Sequence, residues 1–213
     1  MVLNGIYNLK VINVRRMIYS FAPKGDHLTI YKGKKKVHTP NGNIVTTKDE
    51  ALAQRLVAEL EVETDYTSPA SVLCYHYTLC DLTAQYVRED VMEDLRVCCR
   101  ENMEDDPLLT FREGDTEPDD IATRLIVNMT NAAKGMTLEQ LVAVIVMYCS
   151  FDTLAMTWHI ITDIIEKPEE EFEANVESFV EDLRQFCKDE EGMACPKNMA
   201  EVIKTFDYYY RIK

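Results

Sequence analysis

The chain has 213 residues, 46% of them hydrophobic and 28% charged, enough for one domain or two small ones and for a core that needs no covalent staples. Its net charge of −14 argues against a nucleic-acid-binding surface. The charge is unevenly spread: residues 1–50 hold nine Lys and Arg against three Asp and Glu, so the remainder is strongly acidic. Seven cysteines without the spacing of a secreted framework point to reduced thiols and an intracellular compartment. The N-terminus lacks the apolar core and small-residue cleavage site of a signal peptide. The longest apolar run, residues 141–149, is too short to span a membrane.

In chain order, β-like stretches come first. Residues 6–14 and 17–22 carry Ile6, Val11, Ile12, Val14, Ile18, Tyr19 and Phe21, and a turn follows at Pro23-Lys24-Gly25-Asp26. Short strands are predicted at 28–31, 36–39 and 44–46. Pro40 to Asn43 supplies the hairpin turn, because Asn-Gly tolerates positive φ. These pieces predict a small antiparallel β domain over 1–47.

From Lys48 the hydrophobic period becomes helical, predicting an all-helical domain over 48–213 and an α+β fold. Thr47 and Glu50 read as a capping box, with Leu52, Leu56 and Leu60 on one face of the first helix. Ser68-Pro69 reads as the cap and first position of a second helix, whose apolar face is Val72, Leu73, Tyr75, Leu79, Leu82 and Tyr86. A third helix covers 91–99. Residues 105–114 break the pattern, and Thr116-Glu117-Pro118 opens a helix with Ile121, Leu125, Met129 and Ala132, ended by Gly135. Thr137 and Gln140 form a second capping box, opening one long helix to about Glu166. That helix is apolar nearly all round over 141–148, which places it at the centre of the domain. Pro168 opens the next helix, with Phe172, Val176, Phe179, Val180, Leu183 and Phe186 inward and Gly192 as its stop. Asn198 caps a last helix bearing Val202, Ile203, Phe206 and Tyr210.

Reactive constellations are sparse. Cys74, His76 and Cys80 invite a zinc reading, but only His76 and Cys80 share a helical face and no second ligand pair stands near. Packed core thiols account for the cysteines. His159 and Asp163, four apart, resemble an oriented base, yet no nucleophile accompanies them and Trp158 beside them marks a packed position. The carboxylate clusters at 105–106, 119–120 and 169–171 sit at helix starts, where the helix dipole favours negative charge. The run Lys32-Gly33-Lys34-Lys35-Lys36 is a basic cluster at a predicted hairpin tip, with Tyr31 as its neighbouring aromatic. No phosphate loop, dinucleotide fingerprint or serine elbow is present in the sequence. No catalytic residue, metal or cofactor is expected.

One resemblance adds to this reading. Thr39-Pro40-Asn41-Gly42-Asn43, then Ala51-Leu52-Ala53, then Ala58-Glu59 follow one another at the spacing found in the assembly chaperones that hold the free α subunit of F-type ATP synthase. In that family a strand and a Gly-Arg turn lead to Lys-Thr-Pro-x-Gly-Asn, and a helix reads Ala-Leu-Ala with a later Ala-Glu-Trp. Here the turn is Gly33-Lys34, and Leu60 stands where the family has tryptophan. Ser68-Pro69-Ala70-Ser71-Val72-Leu73 resembles the next motif, with Asp81 a little later than the family's aspartate. Asp106-Pro107-Leu108-Leu109-Thr110-Phe111 is similar to two family segments, and the long helix with Ser150 to the family's apolar helix. Beyond Pro168 the likeness thins to Glu181-Asp182-Leu183-Arg184-Gln185.

The resemblance implies a non-catalytic assembly chaperone with the unassembled α subunit as its protein client. It implies structural roles for Thr39, Pro40, Gly42, Asn43, Glu59 and Pro69, and client contacts at Glu181, Asp182 and Gln185. It places the chain in the bacterial cytoplasm or, alternatively, the mitochondrial matrix. An adaptor of the same fold with another client, and an enzyme with an interdomain pocket holding His76, His159 or Asp163, are the alternatives.

Overall fold

Among the described residues a four-stranded antiparallel sheet comes first, and helices follow. The computed structural model describes residues 18–104, 106, 120–151, 153–189 and 197–212. Predictions at 6–14, at 107–119 and at Gly192 lie outside the described residues, as do the side chains of Ile121, Leu125 and Phe186. Strands β1 (Tyr19–Lys24) and β2 (His27–Lys32) form a hairpin, turned at Gly25 with φ +67°. The start of β2 pairs with β4 (Thr46–Thr47) and its end with β3 (Lys35–Lys36). Ile30 and Val45 are fully buried and join the same core as the helices.

Helix α1 (Glu50–Glu61) starts two residues later than the Thr47 box predicts. Its N-cap is Asp49, whose carboxylate accepts from the Leu52 amide at 2.7 Å. Thr47 instead accepts from the Asp49 amide at 3.1 Å. Aspartate is the better N-cap, so the carboxylate takes the orphan helix donor. Helix α2 (Val72–Gln85) likewise starts at its cap Ser71, not at Ser68-Pro69. Those two residues belong to the preceding turn, where the Ser68 carbonyl accepts from Ser71. Tyr86 ends α2 and is exposed rather than on its buried face.

Helix α3 (Arg88–Glu104) is longer than its apolar stripe, extending through charged residues at both ends. Helix α4 spans Asp120–Gly135. The Thr137 capping box is formed in full: Gln140 Oε1 accepts from the Thr137 amide at 2.9 Å, and Thr137 Oγ1 from the Gln140 amide at 3.2 Å. Helix α5 (Leu138–Phe151) then runs through the middle of the helical layer, against α2 and α3. Leu138, Leu141, Val142, Ala143, Val144 and Met147 are all fully buried. Truncating a leucine in such a position costs about 2–5 kcal/mol, because the surroundings collapse only partly.

The single long helix predicted to Glu166 is broken. Helix α6 (Leu154–Ile160) begins afresh at its N-cap Thr153 and continues into a π-helical turn, Ile161–Ile165. The buried carboxylate of Asp106 causes the new start. It accepts from Thr153 Oγ1 at 2.9 Å, from the Leu154 amide at 2.6 Å and from the Ala155 amide at 2.9 Å. A short 3₁₀ turn, Glu169–Glu171, leads into α7 (Phe172–Asp189). Helix α8 (Met199–Tyr210) packs on α5, α7 and α2. Asn198 occupies its N-cap position but in the left-handed region, at φ 58°, and makes no side-chain cap. Asparagine tolerates that conformation, so its contribution is to the backbone turn.

Candidate functional site

The Thr39-to-Asn43 turn is fixed to α2. Thr39 donates its amide to the Asn43 carbonyl at 2.8 Å, and Gly42 to the Thr39 carbonyl at 2.9 Å. Only Gly42 takes positive φ, +88°, so the loop is a turn closed by one left-handed residue rather than a two-residue Asn-Gly turn. Pro40 supplies the preset φ inside it. Three side chains then converge on the Asp81 carboxylate. Thr39 Oγ1 and Asn43 Nδ2 donate to one oxygen, the latter at 2.8 Å, and Asn41 Nδ2 to the other at 2.8 Å. A carboxylate has lone pairs for all three.

Glu59 plays the same part for α1. It is 6% exposed, and accepts from Ser71 Oγ at 2.7 Å, from the Leu73 amide at 3.3 Å and from Arg55 Nε at 3.1 Å. The buried charge therefore sits at the positive end of α2 and is paired, which is what burial of a carboxylate requires. Pro69 contributes its carbonyl, which accepts from the Tyr75 hydroxyl at 2.9 Å.

The residues considered for chemistry are placed apart. His76 is 1% exposed, between β4, α2 and α8. Its Nε2 lies 2.9 Å from the Thr46 carbonyl, an obligate acceptor, so Nε2 carries the proton. Nδ1 then accepts from the Tyr209 hydroxyl at 3.3 Å. Burial holds the imidazole down at about 4, against the raising effect of the Thr46 carbonyl. Cys80 Sγ is 3.6 Å from Nε2, and burial pushes its thiol up to about 11. The cluster is a neutral, sealed joint. Cys74 turns away to the Thr67 carbonyl at 3.9 Å. Among the described residues no group of three His, Cys, Asp or Glu is arranged to hold a metal ion. His159 and Asp163 face solvent, 3.3 Å apart, at the start of the π turn.

Two surfaces of opposite sign remain. On α7, Glu181, Asp182 and Gln185 lie on the outer face, while Val176 and Val180 are buried. Glu181 pairs with Arg184 at 3.5 Å, and Glu173 with Lys204 at 2.7 Å. On the outer face of the sheet, Lys24, His27 and Lys36 line an open cleft of about 490 Å³, walled also by Asn43, Ile44 and Ala84. The sequence pointed to residues 32–36 as the basic cluster and left Lys24 out. Strand alternation is the signal that relates them, once the pairing of β2 with both β1 and β3 is known.

No helix among the described residues is long and apolar enough to cross a membrane. Comparison with family models, curated proteins and solved structures gives no match for this chain.

Proposed function

We propose that this chain is a non-catalytic assembly chaperone that holds the unassembled α subunit of an F-type ATP synthase, as its motifs imply. The observation that carries the reading is the Asp81 joint, which turns Thr39 and Asn43 of the resembling motif into a fixed hairpin. Glu59, the motif's glutamate, forms the second joint to α2. Spacing between motifs separated in sequence has a physical basis when their residues hold one another. The role fits a binding scaffold: an α+β body in which His76 is sealed in the core and His159 stands on open surface.

In this role the chain covers the apolar interface of the free subunit, which otherwise aggregates, until the β subunit displaces it. Glu181, Asp182 and Gln185 supply an acidic, exposed face for that contact, and acidity elsewhere steers a basic client surface toward it. The work is done where α subunits are assembled, in the bacterial cytoplasm or the mitochondrial matrix. Tagged chain recovered from its native cells tests the reading. Enrichment of α without β supports it; another protein in place of α retires the client.

A further inference from the structure

Lys24 and Lys36 lie twelve positions apart in sequence and on different strands, yet they border one cleft. Pairing explains it. Lys24 stands opposite His27, Lys36 opposite Tyr31 and Thr46 opposite Thr29. Paired residues point to the same side, and so do alternate residues of β2, so all six share one face of the sheet. The opposite face, with Ile30, is buried in the core.

The cleft on this face has a distinctive charge. Among the described residues that line it there is no Asp or Glu. The two bordering carboxylates are engaged elsewhere. Asp26 lies 3.2 Å from Lys48 Nζ, and Asp81 holds the hairpin. His27 Nδ1 stands 3.2 Å from Asp26 but out of line for a hydrogen bond. A side-chain hydrogen bond with Lys24, and after it the like charge of that ammonium, hold Lys36 below the usual lysine range. Two ammoniums facing one another without a carboxylate between them gain from an added anion. This occurs in a chain of net charge −14, which elsewhere repels anions. The cleft also has an apolar wall, because Ile44 is 40% exposed and Ala84 lies beside it.

We infer that this cleft docks an acidic peptide segment of a protein partner, with a carboxylate between Lys24 and Lys36 and an apolar side chain against Ile44 and Ala84. The inference rests on the chain being a protein-binding module and names the chemistry of one segment it takes. A peptide suits the site better than a nucleic-acid strand. The cleft sets its two ammoniums beside an apolar wall, and a peptide offers a carboxylate and an apolar side chain together, where a nucleic-acid backbone offers only phosphate and sugar. The Asn43 wall is held by Asp81, so the hairpin joint also shapes the cleft.

The test is fluorescence polarisation with a labelled peptide of alternating glutamate and leucine, at low salt. Binding is expected to weaken at least tenfold in the double variant Lys24→Glu, Lys36→Glu, and also in Lys24→Gln, Lys36→Gln. The control variant Lys34→Glu, Lys35→Glu, with the same net charge change, is expected to bind as the unaltered chain does. No binding of the peptide overturns the inference, as does equal loss in the control. Lysine-dependent binding of a labelled oligothymidylate in preference to the peptide overturns it in favour of nucleic acid, and displacement by equimolar inorganic phosphate in favour of a small anion. The outcome is separable from the chaperone reading. Peptide binding without capture of α supports the cleft and retires that client; capture of α without peptide binding retires the cleft alone.

Discussion

Asn43 donates its side-chain amide to Asp81 at 2.8 Å, joining a hairpin tip to a helix 38 positions away. Thr39 and Asn41 donate to the same carboxylate, so one side chain sets where the hairpin lies. Asp81→Ala leaves Thr39, itself 4% exposed, without that acceptor. The expected loss is about 2 kcal/mol, since hydrogen bonds to a charged group are stronger than neutral ones but this group is partly solvated. For a chain of this size that corresponds to a fall of about 4–8 °C in Tm. Thermal unfolding followed by circular dichroism checks it; an unchanged Tm means the joint does not hold the hairpin.

Glu59 and Ser71 form a buried pair at 2.7 Å. Ser71→Ala removes an N-cap and is expected to cost about 1 kcal/mol. Glu59→Ala also strands the Ser71 hydroxyl, with an expected cost of about 2–3 kcal/mol, toward the low end for buried ion pairs because Arg55 is half exposed. The two are in direct contact, so the double variant should lose less than the sum. Urea titration of all four proteins measures the coupling, and strict additivity would separate the two roles.

The contrast between caps shows what a sequence discloses. Thr137 and Gln140 were legible because both donors and both acceptors lie within four residues. Thr47 and Glu50 fit the same pattern, yet Thr47 takes the Asp49 amide and Asp49 itself caps the helix through the Leu52 amide. The outer face of α7 was legible from the spacing of Val176, Val180 and their neighbours, which leaves Glu181, Asp182 and Gln185 outside. The break between α5 and α6 was not, because Asp106 acts across 48 positions to reach Leu154. The meeting of Lys24 with Lys36 was hidden for a similar reason: it needs the register of three strands. Local chemistry is readable; the partner of a distant carboxylate is a property of the fold.

Asp106 gives the third prediction. Its carboxylate caps the first turn of α6 while 1% exposed. Asp106→Ala removes the acceptor for two helix-terminal amides, which then lack partners in a buried place. Hydrogen exchange at the Leu154 and Ala155 amides is expected to speed up at least tenfold, with a global loss of about 2–3 kcal/mol. Unchanged exchange there would show that the helix start does not depend on this carboxylate.

His76 makes stability depend on pH. Burial lowers its folded pKa to about 4, below the ordinary 6.5. Between those values the unfolded chain binds the extra proton and the folded one does not, so stability falls as the pH drops from 6.5 toward 4. Above that window, and below it, this group adds no slope. The loss across the whole window is about 3 kcal/mol, from 1.4 kcal/mol per pKa step. His76→Gln keeps a donor for the Thr46 carbonyl and removes the titration. Its urea midpoint is expected to vary less between pH 7 and pH 5 than that of the unaltered chain; an equal variation would assign the acid sensitivity to other groups.

The acidic face of α7 is tested by reversing it. Glu181→Lys with Asp182→Lys changes two exposed side chains. Among the described residues the ion pair lost is Glu181 with Arg184 at 3.5 Å, which is solvated on both sides. Such pairs contribute little, so stability is expected to stay within about 0.5 kcal/mol. Capture of the client is expected to fall at least tenfold, and to fall further as salt is lowered, because two attractive charges become repulsive and screening is weakest there. Co-purification of the α subunit with each variant reads this directly. Retention at the unaltered level, in a variant that melts normally, would remove α7 from the client-binding surface.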